Sequence, residues 1–491
     1  MFLISFTILL TLSNYLAEGG GGGGGHDYRD ALAKSILFFY GQRSGKLHDH
    51  DRALGWRGDS ALSDGQSDGV DLTGGYYDAG DNVKFNFPMA FTITVLSWGV
   101  IESGNKMGSD DQLPKAMAAI RWGTDYLLKS AQHLNTTGKL YAIVANPYLD
   151  HRCWERPEDM DTDRTAYYVT REKPGSDLAA EMAAAMASAS MVFRQTDSKY
   201  SRLLLQTAKN VMLFAVDHLG AYSDSVKIAC PFYCSYSGYT DELLWGAAWM
   251  HKATGDDKYV KMIESFSGNG PSNAFSWDDK YSGAYVLLAQ RNLVKNDPTF
   301  EQYRRKAEDY MCKILPKSQY LSTQYTQGGL MYILGATNLQ YVASAAFLLT
   351  TFSTYMSALN HTFACGNFQV TGSYLRAHAK KQVDYILGDN PMNMSYMVGY
   401  GSKYPTRLHH RGASVPSIHN QSHSFGCGLG FNLFLYTQNP DPNQLTGAVV
   451  GGPDQDDSYA DDRTRYTQSE PTTYINAAIV GPLAYFAAKP N

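Results

Sequence analysis

Two aspartates, Asp78 and Asp81, stand three positions apart in the stretch GGYYDAGDN, residues 74–82. Carboxylates so spaced suit three purposes: a solvated turn, since Asp and Gly populate turns freely; a hard-cation site; or acid–base work on a bound water. A second acidic stretch, YADDRTRYTQSEPTTYINA (459–477), carries Asp461, Asp462 and Glu470. Glu470 directly precedes Pro471, which opens a helical pattern. The residue before proline avoids the α region, so Glu470 is expected at the N-cap of that helix. Capping is its plain structural role, though Glu is not a favoured cap. A third stretch, YPTRLHHRGAS (404–414), gathers Arg407, His409, His410 and Arg411. A basic cluster of this kind could bind phosphate, or hold sugar hydroxyls and steady nearby carboxylates.

The elements that must position these residues read as helices. HDYRDALAKSILFFYGQRSG places Leu32, Ile36, Phe39 and Tyr40 at helical spacing before glycine stops. FPMAFTITVLSWGVIESG has a proline start and a glycine end. DDQLPKAMAAIRWGTDYLLKSAQHL opens on acidic residues and Pro114, as a first turn should. SDLAAEMAAAMASASMVFRQT is rich in alanine, the best helix former. TDELLWGAAWMHKATG, LQYVASAAFLLTTFSTYMSAL, LRAHAKKQVDYILG and PTTYINAAIVGPLAYFAAK extend the series. Clean apolar–polar alternation is scarce, so the class expected is all-α. Long loops rich in Gly, Pro, Asp and Tyr run between the helices and hold the unusual polar residues. Such loops in a compact domain usually line a site, which predicts a helical scaffold with a cleft built from its loops.

Length alone, 491 residues, suggests about three domains. No internal linker supports that: the low-complexity run is Gly19–Gly25, and the texture is uniform from His26 onward. One large domain over 26–491 is expected, preceded by a leader and glycine-rich segment over 1–25. Hydrophobic residues at 44% and charged residues at 18% are an ordinary globular balance. A net charge of −5 with no basic block argues against nucleic acid as a partner. The 35 tyrosines suit either stacking on sugar rings or interior packing with satisfied hydroxyls.

The apolar run FLISFTILLTL, residues 2–12, is too short to span a bilayer and matches a signal-peptide core, although no Lys or Arg precedes Arg29. A secreted, extracellular protein without a stable membrane span is expected. Six cysteines fit a few disulfides, whose connectivity is not readable. Sequons occur at Asn135, Asn360, Asn393 and Asn420. His419, His423 and Cys427 recur every four residues, which on a helix could gather a soft metal. Pro416 and the glycines around Cys427 argue for a loop instead.

These motifs together resemble glycoside hydrolase family 9, most closely its plant endo-β-1,4-glucanases (cellulases), from about His26 to Lys489. GGYYDAGDNVKFNFPMAFT is similar to the family's catalytic-base segment, SYMVGYGSKYPTRLHHR to its histidine signature, and YADDRTRYTQSEPTTYINA to its acidic signature. DHRCWERPEDMDT and KKQVDYILGDNPMNMSYM extend the match. The resemblance implies an (α/α)6 barrel with an open cleft and inverting hydrolysis of β-1,4-glucosidic bonds. By the motif match Glu470 is the acid and Asp81 the base, with Asp78 sharing or orienting the water. His409 and Asp461 fall at active-site positions, and Asp461 is expected to neighbour Glu470. A tension follows, because a helix N-terminus would lower the pKa of a capping Glu470. Burial and nearby carboxylates must outweigh the dipole.

Arg411, His151, Trp154 and Trp277 fall at substrate-binding positions, with core packing the alternative for the tryptophans. The segment SYSGYTDELLW resembles a calcium site, with Ser237, Gly238, Asp241 and Glu242 as ligands. The alternative there is helix capping by Thr240. No cofactor is required, a structural calcium being only what that segment's resemblance implies; the partner is the β-1,4-glucan, and a monomer is expected. Mixed-linkage glucan or a xyloglucan backbone are rival substrates. A non-catalytic glucan-binding protein is the rival from another class, which the intact Asp78, Asp81, Asp461 and Glu470 set argues against. Only 21 residues follow Glu470, too few for a C-terminal carbohydrate-binding module. Soluble or amorphous glucan is therefore the expected substrate.

Overall fold

Twelve helices of nine or more residues organise the computed structural model, which describes residues 25–48, 53–108, 111–268 and 274–488. The apolar run 2–12 lies outside the described residues. The helices are α1 Tyr28–Gly41, α2 Asn86–Ser103, α3 Gln112–Ala131, α4 Ser176–Phe193, α5 Ser198–Asp217, α6 Thr240–Thr254, α7 Lys258–Phe266, α8 Tyr281–Lys295, α9 Glu301–Ile314, α10 Leu339–Ser357, α11 Gly372–Leu387 and α12 Thr473–Ala487. The even-numbered helices form an inner ring, each packed on the next, and α12 closes the ring against α2. Each odd-numbered helix lies outside one inner helix: α3 on α2, α5 on α4, α7 on α6, α9 on α8, α11 on α10 and α1 on α12. The architecture is an (α/α)6 barrel.

Composition assigns the two rings. Helix α2, NFPMAFTITVLSWGVIES, buries 16 of its 18 residues, as a helix apolar on all sides must. Helix α5, SKYSRLLLQTAKNVMLFAVD, buries 7 of its 20, with Leu204, Ala208, Val211, Met212 and Ala215 on one stripe. The eight stretches recognised from sequence are all helices. The four others, α5, α7, α8 and α9, escaped that reading. Three of these are outer helices, whose narrow apolar stripe is diluted by charge. Small residues bring the ends of the ring together: a Cβ on Gly99 of α2 would sit 3.5 Å from the Gly481 Cα of α12.

Connections from inner to outer helices are short, apart from 358–371, and longer ones, or in 267–280 one of equal length, lead back: 42–85, 132–175, 218–239, 267–280, 315–338 and 388–472. The longer ones all enter the N-termini of inner helices, so they gather at one end of the barrel. Strands of two to five residues stiffen three of them and the connection from α10 to α11. β1 Lys84–Phe85, β2 Leu140–Val144 and β3 Ala166–Val169 form an antiparallel sheet with Lys84 opposite Val144 and Leu140 opposite Val169. Two hairpins, β4 Gln324–Tyr325 with β5 Met331–Tyr332 and β6 Phe363–Cys365 with β7 Phe368–Val370, complete the strands. All are too short to leave a readable alternation. Disulfides join Cys153 to Cys427, Cys230 to Cys234 and Cys312 to Cys365. The Cys427 bond removes that residue from any soft-metal set with His419 and His423. Among the described residues no helix is long and apolar enough to cross a membrane.

Candidate active site

The segment that reads as a flexible acidic turn is a buried, clamped loop. Every residue from Gly75 to Asn82 is buried. Beneath it Arg164 donates to both oxygens of buried Asp64 at 2.8 Å, and Lys84 of β1 joins the same carboxylate at 2.7 Å. Lys84 also donates to the Leu72 and Gly74 carbonyls, and Arg164 to the Asn82 carbonyl. Removing one member of such a buried network leaves an uncompensated charge, so the loop is held strongly. Its glycines serve close approach. A Cβ on Gly80 would lie 1.9 Å from the His409 carbonyl oxygen and 3.1 Å from Glu470 Oε1. At Gly80 the three motif segments meet: its N–H donates to Glu470 Oε1 at 3.0 Å, and its carbonyl accepts from the Arg411 N–H at 3.0 Å.

Glu470 does not cap α12, as its place before Pro471 predicts. It closes the short helix Tyr466–Ser469 in extended backbone, φ −86° and ψ 122°. Thr472 is the cap, accepting from the Ile475 N–H. The expected conflict with the helix dipole therefore falls away. Loss of solvent, then the charge of Asp81, pushes the Glu470 carboxyl up to about 8. Asp78 is also raised to about 8, chiefly by burial. Its oxygens receive the hydroxyls of Tyr233 and Thr473, and only 1% of its surface is exposed. Asp81 retains 7% and accepts from the Val83 N–H at 3.0 Å. Burial raises its pKa as well and the Asp150 charge adds to the rise, while the His151 ring and the Arg411 guanidinium oppose it in part. His151 Nε2 lies 3.7 Å from Asp81 Oδ2.

The remaining predicted residues divide between cleft and support. His409 Nδ1 lies 2.9 Å from the Arg463 carbonyl, which makes that nitrogen the donor. Burial holds the ring at about 3, hence neutral, with Nε2 as an acceptor. Arg411, expected on substrate, is buried. It donates to the carbonyls of Cys153, Gly80 and Asp150 and pairs with the Asp150 carboxylate at 3.2 Å. Its fork ties three loops together. Trp154 is 1% exposed, bonds Ser414 Oγ through its indole N–H, and packs edge-on against His409 at 4.9 Å. Its packing role wins over a sugar platform.

Asp461 does not work on Glu470 as expected. It accepts from the Thr406 and Arg407 N–H groups at 3.0 Å and from Thr406 Oγ1 at 2.6 Å, so it hangs the histidine segment in place. His151 and Trp277 do reach the cleft surface.

Sequence reasoning missed Tyr233, Phe232, Asp150 and Asp441. Tyr233 donates to Asp78, Phe232 packs on His151 with ring centroids 4.4 Å apart, and Asp441 accepts from the Leu408 N–H at 2.9 Å. The closely spaced cysteines around Phe232 and Tyr233 were the available signal.

The calcium-like segment gathers oxygens in a way hydrogen bonds alone do not satisfy. Ser237 Oγ lies 2.5 Å from the Asp278 carbonyl and 3.2 and 3.3 Å from the two Asp241 oxygens. One hydroxyl proton cannot serve three acceptors. Glu242 Oε2 is buried without a partner, while Lys280 takes Oε1 at 3.0 Å. Thr240 makes no cap here; the N-cap position is Tyr239, with no side-chain bond. The donor set of Ser237, Gly238, Asp241 and Glu242, with Asp278 added, fits a hard cation.

A double ring of helices whose long loops bring buried carboxylates into one cleft defines the class of (α/α)6 glycoside hydrolases. The chain belongs to glycosyl hydrolase family 9, whose model matches residues 28–483. It is 61% identical over 463 residues to "Endoglucanase 3" of Arabidopsis thaliana, covering 94% of each chain. Among solved structures it resembles an endoglucanase from the termite Nasutitermes takasagoensis, with TM-score 0.83 and 39% identity over 94% of this chain and 99% of that one. It also resembles the cellulase Cel9M of C. cellulolyticum in complex with cellobiose, with TM-score 0.80 and 31% identity over 95% and 99%.

Proposed function

We propose that this enzyme, an endo-β-1,4-glucanase, cleaves internal bonds of cellulose or a related β-glucan with inversion at the anomeric carbon. Glu470 carries the proton to the glycosidic oxygen as the C1–O bond breaks. Asp81 takes a proton from the water that attacks C1 from the opposite face. Inverting enzymes keep the two carboxyls roughly 6.5–9.5 Å apart to admit that water. Asp78, fixed by Tyr233 and Thr473, orients the water. His409 Nε2 accepts from a sugar hydroxyl, and Trp277 offers a ring face to the chain.

The observation that carries the reading is electrostatic. Glu470 and Asp81 meet across the Gly80 bond, yet only Asp81 has both His151 and Arg411 favouring its anion. Carboxyls whose surroundings differ in this way divide into acid and base. The test is hydrolysis of carboxymethylcellulose with the product anomer followed by NMR. The α anomer is expected first; initial β product overturns inversion.

Calcium, if bound by Ser237, Gly238, Asp241, Glu242 and Asp278, neutralises a buried acidic pocket and braces the turn that carries Trp277. EDTA is then expected to lower Tm by several degrees, with recovery on adding Ca²⁺. An unchanged Tm counts against the site. Secretion is supported by three disulfides, which persist in oxidising compartments, and by exposure of all four sequon asparagines.

A further inference from the structure

Three disulfides close loops of very different length. Their partners are separated by 274, 53 and 4 positions. The stability a disulfide gives by restricting the unfolded chain grows with the logarithm of that length. Cys230–Cys234 is therefore the poorest staple of the three, yet it encloses two residues of the cleft. Tyr233 points inward, packed between Phe85 at 4.7 Å and Trp277 at 4.8 Å, with its hydroxyl on Asp78. Phe232 faces the other way, onto His151 at 4.4 Å. Tyr148 donates to the Cys230 carbonyl at 2.6 Å, and Tyr222 donates to the Tyr233 carbonyl. The short ring is thus gripped on both sides, while both cysteines keep some surface.

We propose that the Cys230–Cys234 disulfide is a positioning device for catalysis, holding Tyr233 on Asp78 and Phe232 on His151, rather than a staple of the fold. The inference rests on the reading of Asp81 and Asp78 as the water-handling pair. Opening the ring frees Tyr233 to leave Asp78, which then loses a donor to its ionised form. The double variant Cys230→Ser/Cys234→Ser is expected to keep Tm within a few degrees of the parent. Its kcat falls roughly 10-fold, the worth of one hydrogen bond to a charged group. KM changes less than twofold, and the acidic limb of kcat/KM moves to higher pH. In a Tyr233→Phe background the serine changes add little, because the bond they protect is already gone.

Unchanged kcat and pH profile, or losses that simply add to those of Tyr233→Phe, overturn the proposal. If the serine variant fails to fold, the folded parent is treated with a phosphine reductant, alkylated and mapped. Molecules alkylated only at Cys230 and Cys234 are expected to show the same kinetic loss, and full activity in them overturns the proposal equally. Asp81→Asn run in parallel separates the two readings. An active Asp81→Asn sinks the base assignment, whereas an inactive one beside an unaffected serine variant sinks only the clamp.

Discussion

Glu470→Gln is expected to lower hydrolysis of soluble cellulose by roughly 10³-fold or more, at the upper part of the range for losing a positioned general acid. The amide is isosteric, and its oxygen can still accept from the Gly80 N–H, so folding and glucan binding are retained. What it lacks is a proton to give the leaving oxygen. The loss should shrink on an aryl cellobioside with a strongly acidic phenol, because that leaving group departs without protonation. Near-normal turnover of cellulose by the variant would sink the assignment. The pH dependence has a definite sign. The folded carboxyl is raised from 4.5 to about 8, so activity that needs its proton declines as pH rises through about 8. The native state also holds a proton that the unfolded chain releases. The group's contribution to stability is therefore full below about pH 4.5 and is lost as pH rises through the folded value. Thermal melts of Glu470→Gln between pH 5 and 8 should show a shallower decline than the parent.

Asp81→Asn and Asp78→Asn are expected to differ although the two aspartates are neighbours. Asp81 keeps surface on the cleft and has His151 and Arg411 beside it, whereas both Asp78 oxygens are taken by hydroxyls in the interior. Asp81→Asn should cost roughly 10³-fold in kcat, and Asp78→Asn roughly 10- to 100-fold, since the second removes an orienting contact rather than the proton acceptor. Azide added to Asp81→Ala should restore turnover and yield the α-glycosyl azide, with the anion occupying the place of the activated water. Equal losses in both Asn variants, or azide rescue at Asp78 alone, would reverse the assignment.

Much of the scaffold is legible in local pattern. Inner helices such as α2 and α4 announce themselves because burial on every side demands an almost unbroken apolar run. Outer helices such as α5 and α9 carry the same geometry with one apolar stripe among charges, and the unburied majority of their residues then misleads a reader of composition. The site divides along the same line. Residue type and motif alone brought out Asp78, Asp81, His409 and Glu470. They could not show that Arg411 and Trp154 spend their polar groups inside the protein, or that Asp461 holds the histidine segment rather than Glu470. A guanidinium facing solvent and one facing three carbonyls are the same letter.

The amino-acid sequence by itself determined which groups can do chemistry here and that helices would carry them, because side-chain type and 3.6-residue periodicity are local properties. Tertiary structure decided which groups meet. Gly80 and Glu470 lie 390 positions apart and touch only because α12 closes the inner ring against α2, setting the loops that precede those helices side by side. It also decided their protonation. A carboxyl's pKa is set by the water it loses and the charges it gains, and for Glu470 and Asp81 both are supplied by segments remote in the chain. The loop that reads as two spare charges on a flexible turn becomes rigid for the same reason. Asp64, Lys84 and Arg164 converge beneath it, and that convergence exists only in the folded barrel.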